Sequence, residues 1–340
     1  QQRTFKQYRN RYLPSKKSKE KLSGGVIPPE RKKGVAEVKV KKRNCMQPGK
    51  KMLVVYLAPS LIVYLLAFIL PVILVFIMSF FKFSSIKSFT FVGFENYRNL
   101  FRDKNIWLAL KNNLFLVFVC LIGQIGIAFI LACLLSSRYA KGSGVYRTVI
   151  YFPVTLSAVV IGYVWQFVYD YNYGLITWFM KAIGYGDKVT PLLAKVDTIM
   201  WLVCIPMIWQ YVGFHLVIML SAMTTIDKEI LEVAEIDGCN GFQKSRYIIF
   251  PLIKPTLVIC VFLCISANMK AFDHIMTLTN GGPGYASNVL ALYAYNVSFQ
   301  QLNMGYGSVV SVFILLVTAI LFVISRLPAA VSGRRRQNET

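Results

Sequence analysis

The chain has 340 residues, of which 56% are hydrophobic and 16% are charged. A soluble domain carries about a quarter charged residues, so this composition excludes an ordinary soluble protein and indicates a polytopic helical membrane protein. The net charge is +23, and residues 1–51 alone contain 17 basic and 3 acidic residues.

The basic segment 1–51 lacks the aromatic platforms and the recognisable fold of a nucleic-acid-binding module. We therefore predict a disordered cytoplasmic tail that lies near anionic lipid. The apolar segment that follows is much longer than the roughly 7–15-residue core of a signal peptide, and we expect it to remain as a membrane anchor.

Six apolar segments are long enough to cross ~30 Å of hydrocarbon, which takes about 20 helical residues. They lie between Lys51 and Lys82 and over residues 112–137, 148–169, 198–224, 255–278 and 306–325. Residues 52–326 are therefore predicted to form an all-α integral-membrane domain of six transmembrane helices, followed by a cytoplasmic tail over residues 327–340.

The basic residues outside the tail predict the orientation of these spans. Arg138, Lys141 and Arg147 separate the second and third spans, whereas the 279–306 loop has no charge. Because basic loops stay in the cytoplasm, both termini and the segment after the fourth span are predicted to be cytoplasmic. One loop opposes this rule, since it would place five basic residues outside: Lys82, Lys87, Arg98, Arg102 and Lys104.

Motifs of catalysis and metal binding do not occur in the chain. It has neither a Gly-x-x-x-x-Gly-Lys-[Ser/Thr] phosphate loop nor His-Glu-x-x-His, and its seven cysteines show no Cys-x-x-Cys spacing. We expect no catalytic residues, no metal site and no cofactor bound by this chain.

A polar, charge-rich segment, residues 226–255, separates the fourth and fifth spans. Asp227 is predicted to cap a helix that begins at Lys228, and Gly238 is predicted to end it with a left-handed turn. The segment thus has the pattern of a helix–turn–helix, and an ordinary amphipathic loop is the alternative.

The spacing of Glu232, Gly238, Ile248 and Pro251 resembles the cytoplasmic coupling loop, or EAA loop, of ABC importer permeases. Two positions depart from the family pattern. Val233 stands where alanine is usual, and Phe250 stands where leucine is usual.

One face of the first helix is predicted to meet a partner protein. Ile230, Val233, Ala234 and Asp237 are spaced at i, i+3, i+4 and i+7, which places them on one side of a helix. We expect Ala234 to let a partner backbone approach closely, and Glu232 and Asp237 to offer charged contacts.

Three further segments are similar to sugar-type permeases of the same family: 91–97, 147–153 and the loop that contains Asn280, Gly281, Gly282 and Pro283. The last can only form a turn. In the family the corresponding loop is extracytoplasmic, which implies that it docks a solute-binding protein, although a simple turn between helices remains the alternative.

Polar residues inside the fourth and fifth spans are candidates for the substrate pathway, because such residues usually face a cavity or a partner. Asn268 and Gly213 match positions that line the sugar site in maltose-type permeases. The predicted set is Gln210, Gly213, His215, Asn268, Lys270 and Asp273. A structural Lys270–Asp273 pair at i, i+3 is the alternative, and for His215 and His274 we favour hydrogen bonds between helices.

The resemblance implies the type I ABC importer permease (MetI-like) fold in a bacterial cytoplasmic membrane. It also implies a homologous second permease, two cytoplasmic ATPases that use ATP, and an extracytoplasmic solute-binding protein for sugars or oligosaccharides. The alternative function is an ion-coupled secondary transporter that uses Lys270 and Asp273 as a relay.

Overall fold

The computed structural model describes residues 50–85, 88–136, 142–185 and 190–337. In the described residues four helices are long and apolar enough to cross a membrane, and there are up to six spans if each of two bent helix pairs is one span. This agrees with the predicted six spans. The predicted tail over residues 1–51 lies outside the described residues except for its last two positions, and the tail over 327–340 stays a prediction.

The first candidate span, Met52–Met78, contains α1 (Lys50–Tyr64), a π-helical turn (Leu65–Ile69) and α2 (Leu70–Met78). A short antiparallel hairpin follows, in which β1 (Phe81–Ser85) pairs with β2 (Ser88–Phe91). Helix α3 (Glu95–Arg102) completes the connection to the second span. The hairpin is an addition to the predicted all-α architecture.

The second span begins eight residues before the predicted start at Asn112. It comprises α4 (Lys104–Cys120), a π-helical turn (Leu121–Gly126) and α5 (Ile127–Leu135). Asp103 accepts a hydrogen bond from the backbone N–H of Asn105 at 2.9 Å, and this cap starts the helix at Lys104.

The third span is bent rather than straight. Helix α6 (Ser143–Tyr151) and the 3₁₀ turn Phe152–Thr155 meet α7 (Ala158–Tyr169) at 98°. Leu156 adopts an extended conformation between them. A short helix, α8 (Leu175–Ala182), lies on the way to the fourth span.

The fourth span, α9 (Ile199–Thr224), is continuous although it contains Pro206. Next comes a hairpin of α10 (Lys228–Ile236) and a second arm that combines α11 (Gly241–Gln243), the π turn Lys244–Ile249 and α12 (Phe250–Leu252). The second arm meets α13 (Lys254–Met269) at 77°.

The predicted fifth span, 255–278, is not one helix. Helix α13 ends at Met269, and α14 (Asp273–Leu278) begins after a non-helical break. The remaining elements are α15 (Leu290–Tyr295), the π turn Asn296–Gln300 and α16 (Met304–Gln337), whose segment Met304–Ser325 is the last candidate span.

Helix α9, like α4 and α13, contributes to two of the three apolar cores. Near its start, Val203 and Met207 pack with residues of α4 and α14. Near its end, Leu216 and Met219 pack with residues of α5 and α13. The third core joins α4, α13, α15 and α16. This arrangement positions the polar residues described next.

Candidate functional site: a charged helical hairpin and a polar bundle interior

The first helix of the 227–252 hairpin has both of its predicted ends. Asp227 Oδ1 accepts a hydrogen bond from the N–H of Glu229 at 3.1 Å. At the other end Gly238 has φ +78°, and the N–H of Cys239 donates to the carbonyl of Ala234 at 3.0 Å. A side chain in the left-handed region costs roughly 1–2 kcal/mol, so this turn favours glycine.

The second arm begins with a capping box that the sequence analysis did not identify. Asn240 Oδ1 accepts from the N–H of Gln243 at 2.8 Å, and Gln243 Oε1 accepts from the N–H of Asn240 at 2.9 Å. Lys244 Nζ lies 2.6 Å from Glu235 Oε1 and joins the two arms. Since both side chains are partly exposed, this ion pair contributes at most ~1 kcal/mol and mainly orients the arms.

The predicted contact face of α10 needs one correction. Ala234 is 4% exposed, because α10 packs on the π turn of the second arm, and it therefore does not face outward. The exposed face instead carries Ile230, Val233 and Ile236, of which Ile236 is 84% exposed. The carboxylates of Glu232 and Asp237 lie on exposed residues beside them.

The second arm is built into the bundle core. Ile249 and Ile253 are buried with Leu216 and Met219 of α9 and with Ala128 of α5. The predicted residues Ile248 and Pro251 flank this contact, the first half-buried and the second exposed. The second arm therefore shares a closely packed apolar core with α9 and α5.

Gln210 joins three elements inside the bundle. Its side chain is 2% exposed, and its Nε2 donates to the carbonyl of Leu156 at 2.9 Å, where the third span bends. Its Oε1 lies 2.6 Å from His274 Nε2 on α14. The predicted hydrogen bond between helices is thus found for His274, and the amide of Gln210 is occupied within the chain.

Asn268 lies near the end of α13, and one of the two polar atoms of its side chain is hydrogen-bonded. Its Nδ2 donates to the carbonyl of Cys264 at 2.8 Å. The backbone carbonyl of Asn268 accepts from Asn113 Nδ2 at 3.1 Å, and Asn113 Oδ1 accepts from the backbone N–H of Leu290 at 2.9 Å. Among the residues that the structure describes, no donor is recorded for Asn268 Oδ1.

Asn112 and Asn113 are structural residues that the sequence analysis missed. Asn112 Nδ2 donates to the carbonyls of Ala286 at 3.0 Å and Asn288 at 2.9 Å, so it holds the loop after α14. The sequence did contain a signal for this role, namely two adjacent side-chain amides at the start of an apolar segment. A buried amide needs a hydrogen-bond partner, so each of them indicates a contact with another part of the chain.

Asp103 forms a second anchor that was not predicted. Its Oδ2 accepts from the hydroxyls of Tyr293 at 2.5 Å and Tyr306 at 2.8 Å. Burial, followed by the hydrogen bond to Asp103, raises the pKa of Tyr293 above its ordinary value.

Of the other predicted pathway residues, Gly213 and His215 are buried in the bundle, whereas two are exposed. Gly213 allows a close helix contact, because a Cβ there would lie 2.3 Å from the carbonyl oxygen of Ile150. His215 is 2% exposed, and its Nδ1 has no partner among the described residues. Lys270 and Asp273 are exposed.

The predicted i, i+3 placement of Lys270 and Asp273 on one helix is wrong, because α13 ends at Met269. In the part of the chain that the structure describes, no ion pair joins the two side chains. Both charges lie at the break between α13 and α14.

The 279–288 loop is a compact turn. Asn280 and Gly281 have φ values of +47° and +81°, and the buried Ser287 hydroxyl donates to the carbonyl of Gly282 at 2.6 Å. An open cleft of about 560 Å³ separates this loop from α7, and its lining includes Tyr163, Gln166, Thr277, Asn280 and Pro283.

Residues 124–337 match the family described as "Binding-protein-dependent transport system inner membrane component". A probable ABC transporter permease protein of Pyrococcus horikoshii is 32% identical over 84% of this chain and 97% of its own length. A probable starch degradation products transport system permease protein, AmyD of Thermoanaerobacterium thermosulfurigenes, is 26% identical over 79% of this chain and 91% of its own length.

A solved structure has a similar fold. It is the bacterial alginate ABC transporter in complex with alginate pentasaccharide-bound periplasmic protein. One of its chains has a TM-score of 0.72 and 21% identity, with 81% of this chain and 93% of that chain covered.

We predict that Gly213→Ala lowers the stability of the bundle, because the new methyl group would meet the backbone of α6 and force α6 and α9 apart. Overpacking of this kind costs typically 1–3 kcal/mol. Gly126→Ala is the matched control, since a Cβ at Gly126 meets nothing within 4 Å. The measurement is thermal unfolding in detergent, and equal melting temperatures for the two variants would contradict the prediction.

Proposed function

Because the chain belongs to the family of binding-protein-dependent transport system inner membrane components, we propose that it carries a sugar or an oligosaccharide. It is a permease subunit of an ABC importer and not itself an enzyme, because ATP hydrolysis in this family belongs to partner subunits. AmyD, named for starch degradation products, and the alginate transporter support a carbohydrate as the cargo.

The chain is a multi-pass protein of the inner membrane that works with other subunits. We propose two cytoplasmic ATPases that use ATP, a homologous rather than identical second permease, and a solute-binding protein on the outer side. The excess of basic residues supports cytoplasmic termini and a cytoplasmic 227–252 hairpin.

The single observation that carries the proposed coupling role is the exposed apolar face of α10 on a hairpin that is anchored in the core. Ile230, Val233 and Ile236 offer an exposed apolar surface for a groove on an ATPase, with Glu232 and Asp237 at the rim.

Movement of the ATPases would then displace the whole hairpin. The apolar core that joins Ile249 and Ile253 to α9 and α5 passes this displacement to the spans. Since packed cores deform little, the spans move as bodies and switch the access of the pathway from one side to the other.

The polar atoms that remain available support a sugar site near the break between α13 and α14. The Oδ1 of Asn268 can accept a hydrogen bond from a sugar hydroxyl, and the exposed Lys270 and Asp273 follow within five residues. We expect Gln210 to contribute less to sugar binding, because both polar atoms of its amide already have hydrogen-bond partners within the chain. The loop of Asn280, Gly281, Gly282 and Pro283 is proposed to receive the binding protein.

We expect Gly238→Asp to abolish both uptake and the stimulation of ATP hydrolysis by the loaded binding protein. The substitution strains the left-handed turn and adds a charge where the ATPase docks. Gly241→Asp is the control, because it adds the same charge to the same hairpin at a glycine without positive φ and with open space around its Cβ position. The assay is uptake into proteoliposomes, and wild-type uptake by Gly238→Asp would exclude the coupling role.

For the sugar site, we expect Asn268→Ala to raise the KM for uptake about tenfold, as loss of a hydrogen bond to a bound ligand costs ~1 kcal/mol or more. ATPase stimulation at saturating sugar should stay unchanged. Asn113→Ala serves as the comparison, because it removes the hydrogen bond to the Asn268 backbone and should lower thermal stability without the change in KM. An unchanged KM in Asn268→Ala would remove Asn268 from the site.

A further inference from the structure

The connection between the first and second spans carries an unusual surface of exposed aromatic and basic side chains. We name it the aromatic–basic collar. Its members, all exposed, are Lys82, Phe89, Phe91, Phe94, Arg98, Phe101, Arg102, Lys104 and Trp107. Phe91 and Phe94 are 71% and 73% exposed, so these rings are not part of the core of this chain.

The collar is held rigidly against the end of the first span. Asn96 Nδ2 donates to the carbonyls of Ser79 and Phe81, each at 3.0 Å, which ties α3 to the start of the hairpin. The ring of Phe81 packs on that of Phe91 across the strands, with centroids 5.4 Å apart. The aromatic side chains therefore project from an ordered element rather than from a loose loop.

The covalent connections place the collar at the membrane surface. Helix α2 ends at Met78, three residues before β1 begins at Phe81, and the second span begins at Lys104. Both neighbouring helices cross the hydrocarbon, so the residues between them lie at the level where it meets water. By the order of the spans this is the end of the bundle opposite the 227–252 hairpin.

The segment that contains the collar has a net positive charge. Residues 81–104 contain five basic and two acidic residues. Of the two acids, Asp103 directs its carboxylate to the start of α4 and to two tyrosine hydroxyls, and the segment keeps a net charge of +3.

We propose that the aromatic–basic collar binds anionic phospholipid headgroups of the leaflet that surrounds this end of the bundle. Aromatic rings favour the headgroup region, and each Lys or Arg near an anionic surface adds to the attraction. Lipid phosphate also accounts for the basic residues of the 82–111 loop, which oppose the positive-inside pattern. The inference concerns a lipid contact of the permease and depends neither on the cargo nor on the coupling hairpin.

The depth of the collar is tested on the complete transporter in nanodiscs. Phe91→Cys is labelled with bimane in a parent that carries Cys45→Ser, Cys133→Ser and Cys239→Ser, and Lys195→Cys is labelled as the reference for an exposed loop. We expect lipids with a spin label on the headgroup to quench the Phe91 position strongly and the Lys195 position weakly. Quenching of both positions only by a water-soluble agent would overturn the proposal.

The headgroup charge is tested with Lys82→Gln, Arg98→Gln, Arg102→Gln and Lys104→Gln combined. Native mass spectrometry of complexes from nanodiscs with equal phosphatidylglycerol and phosphatidylcholine counts the lipids that stay bound. We expect a several-fold loss of phosphatidylglycerol, since each basic residue near an anionic surface contributes about a fivefold preference. The control, Lys181→Gln with Lys195→Gln, removes two exposed charges outside the collar and should keep the wild-type count.

Unchanged phosphatidylglycerol retention in the fourfold variant would overturn the lipid assignment. ATPase stimulation by the binding protein is measured on the same variant, and its loss with unchanged lipid retention would assign the collar to protein docking.

Discussion

A helical bundle in a membrane cannot leave backbone carbonyls without hydrogen-bond donors in the hydrocarbon. In this chain the helical pattern of backbone hydrogen bonds is interrupted at several points within the spans. Buried side chains supply the missing donors. Gln210 donates to Leu156 where the third span bends, and Asn113 donates to Asn268 where α13 ends. Pro206 has no N–H for the carbonyl of Leu202, which instead accepts from the hydroxyl of Tyr169 at 3.1 Å. These bonds make the bends part of the fold.

Each of these donors comes from a different segment of the chain, so each also ties two elements together. Tyr169 and Gln210 connect the third span to α9, and Asn113 connects α4 to α13. Together with the apolar core around Leu216 and Ile253, they make α9 the element against which its neighbours are placed. The motion that we propose for the hairpin would therefore act on a connected unit rather than on a set of independent helices.

The sequence was sufficient for the features that depend on neighbouring residues. Composition and length predict the spans, and the caps at Asp227 and Gly238 are confirmed because a cap is a contact within four residues. Features that depend on distant partners could not be predicted this way. The bend at Leu156 depends on a side chain at position 210, and the burial of Ala234 depends on how α10 folds back on the second arm.

The same distinction changes how polar residues within the spans are interpreted. Polarity in hydrocarbon indicates either a ligand or an unpaired backbone group, and the sequence alone cannot separate the two. Both ends of the Gln210 amide are hydrogen-bonded, whereas among the described residues no partner is found for Asn268 Oδ1 or His215 Nδ1. A ligand that enters the bundle can gain most from polar atoms that the fold leaves unused. The residues that hold the fold together and those that we propose for the cargo thus lie close together on α9 and α13.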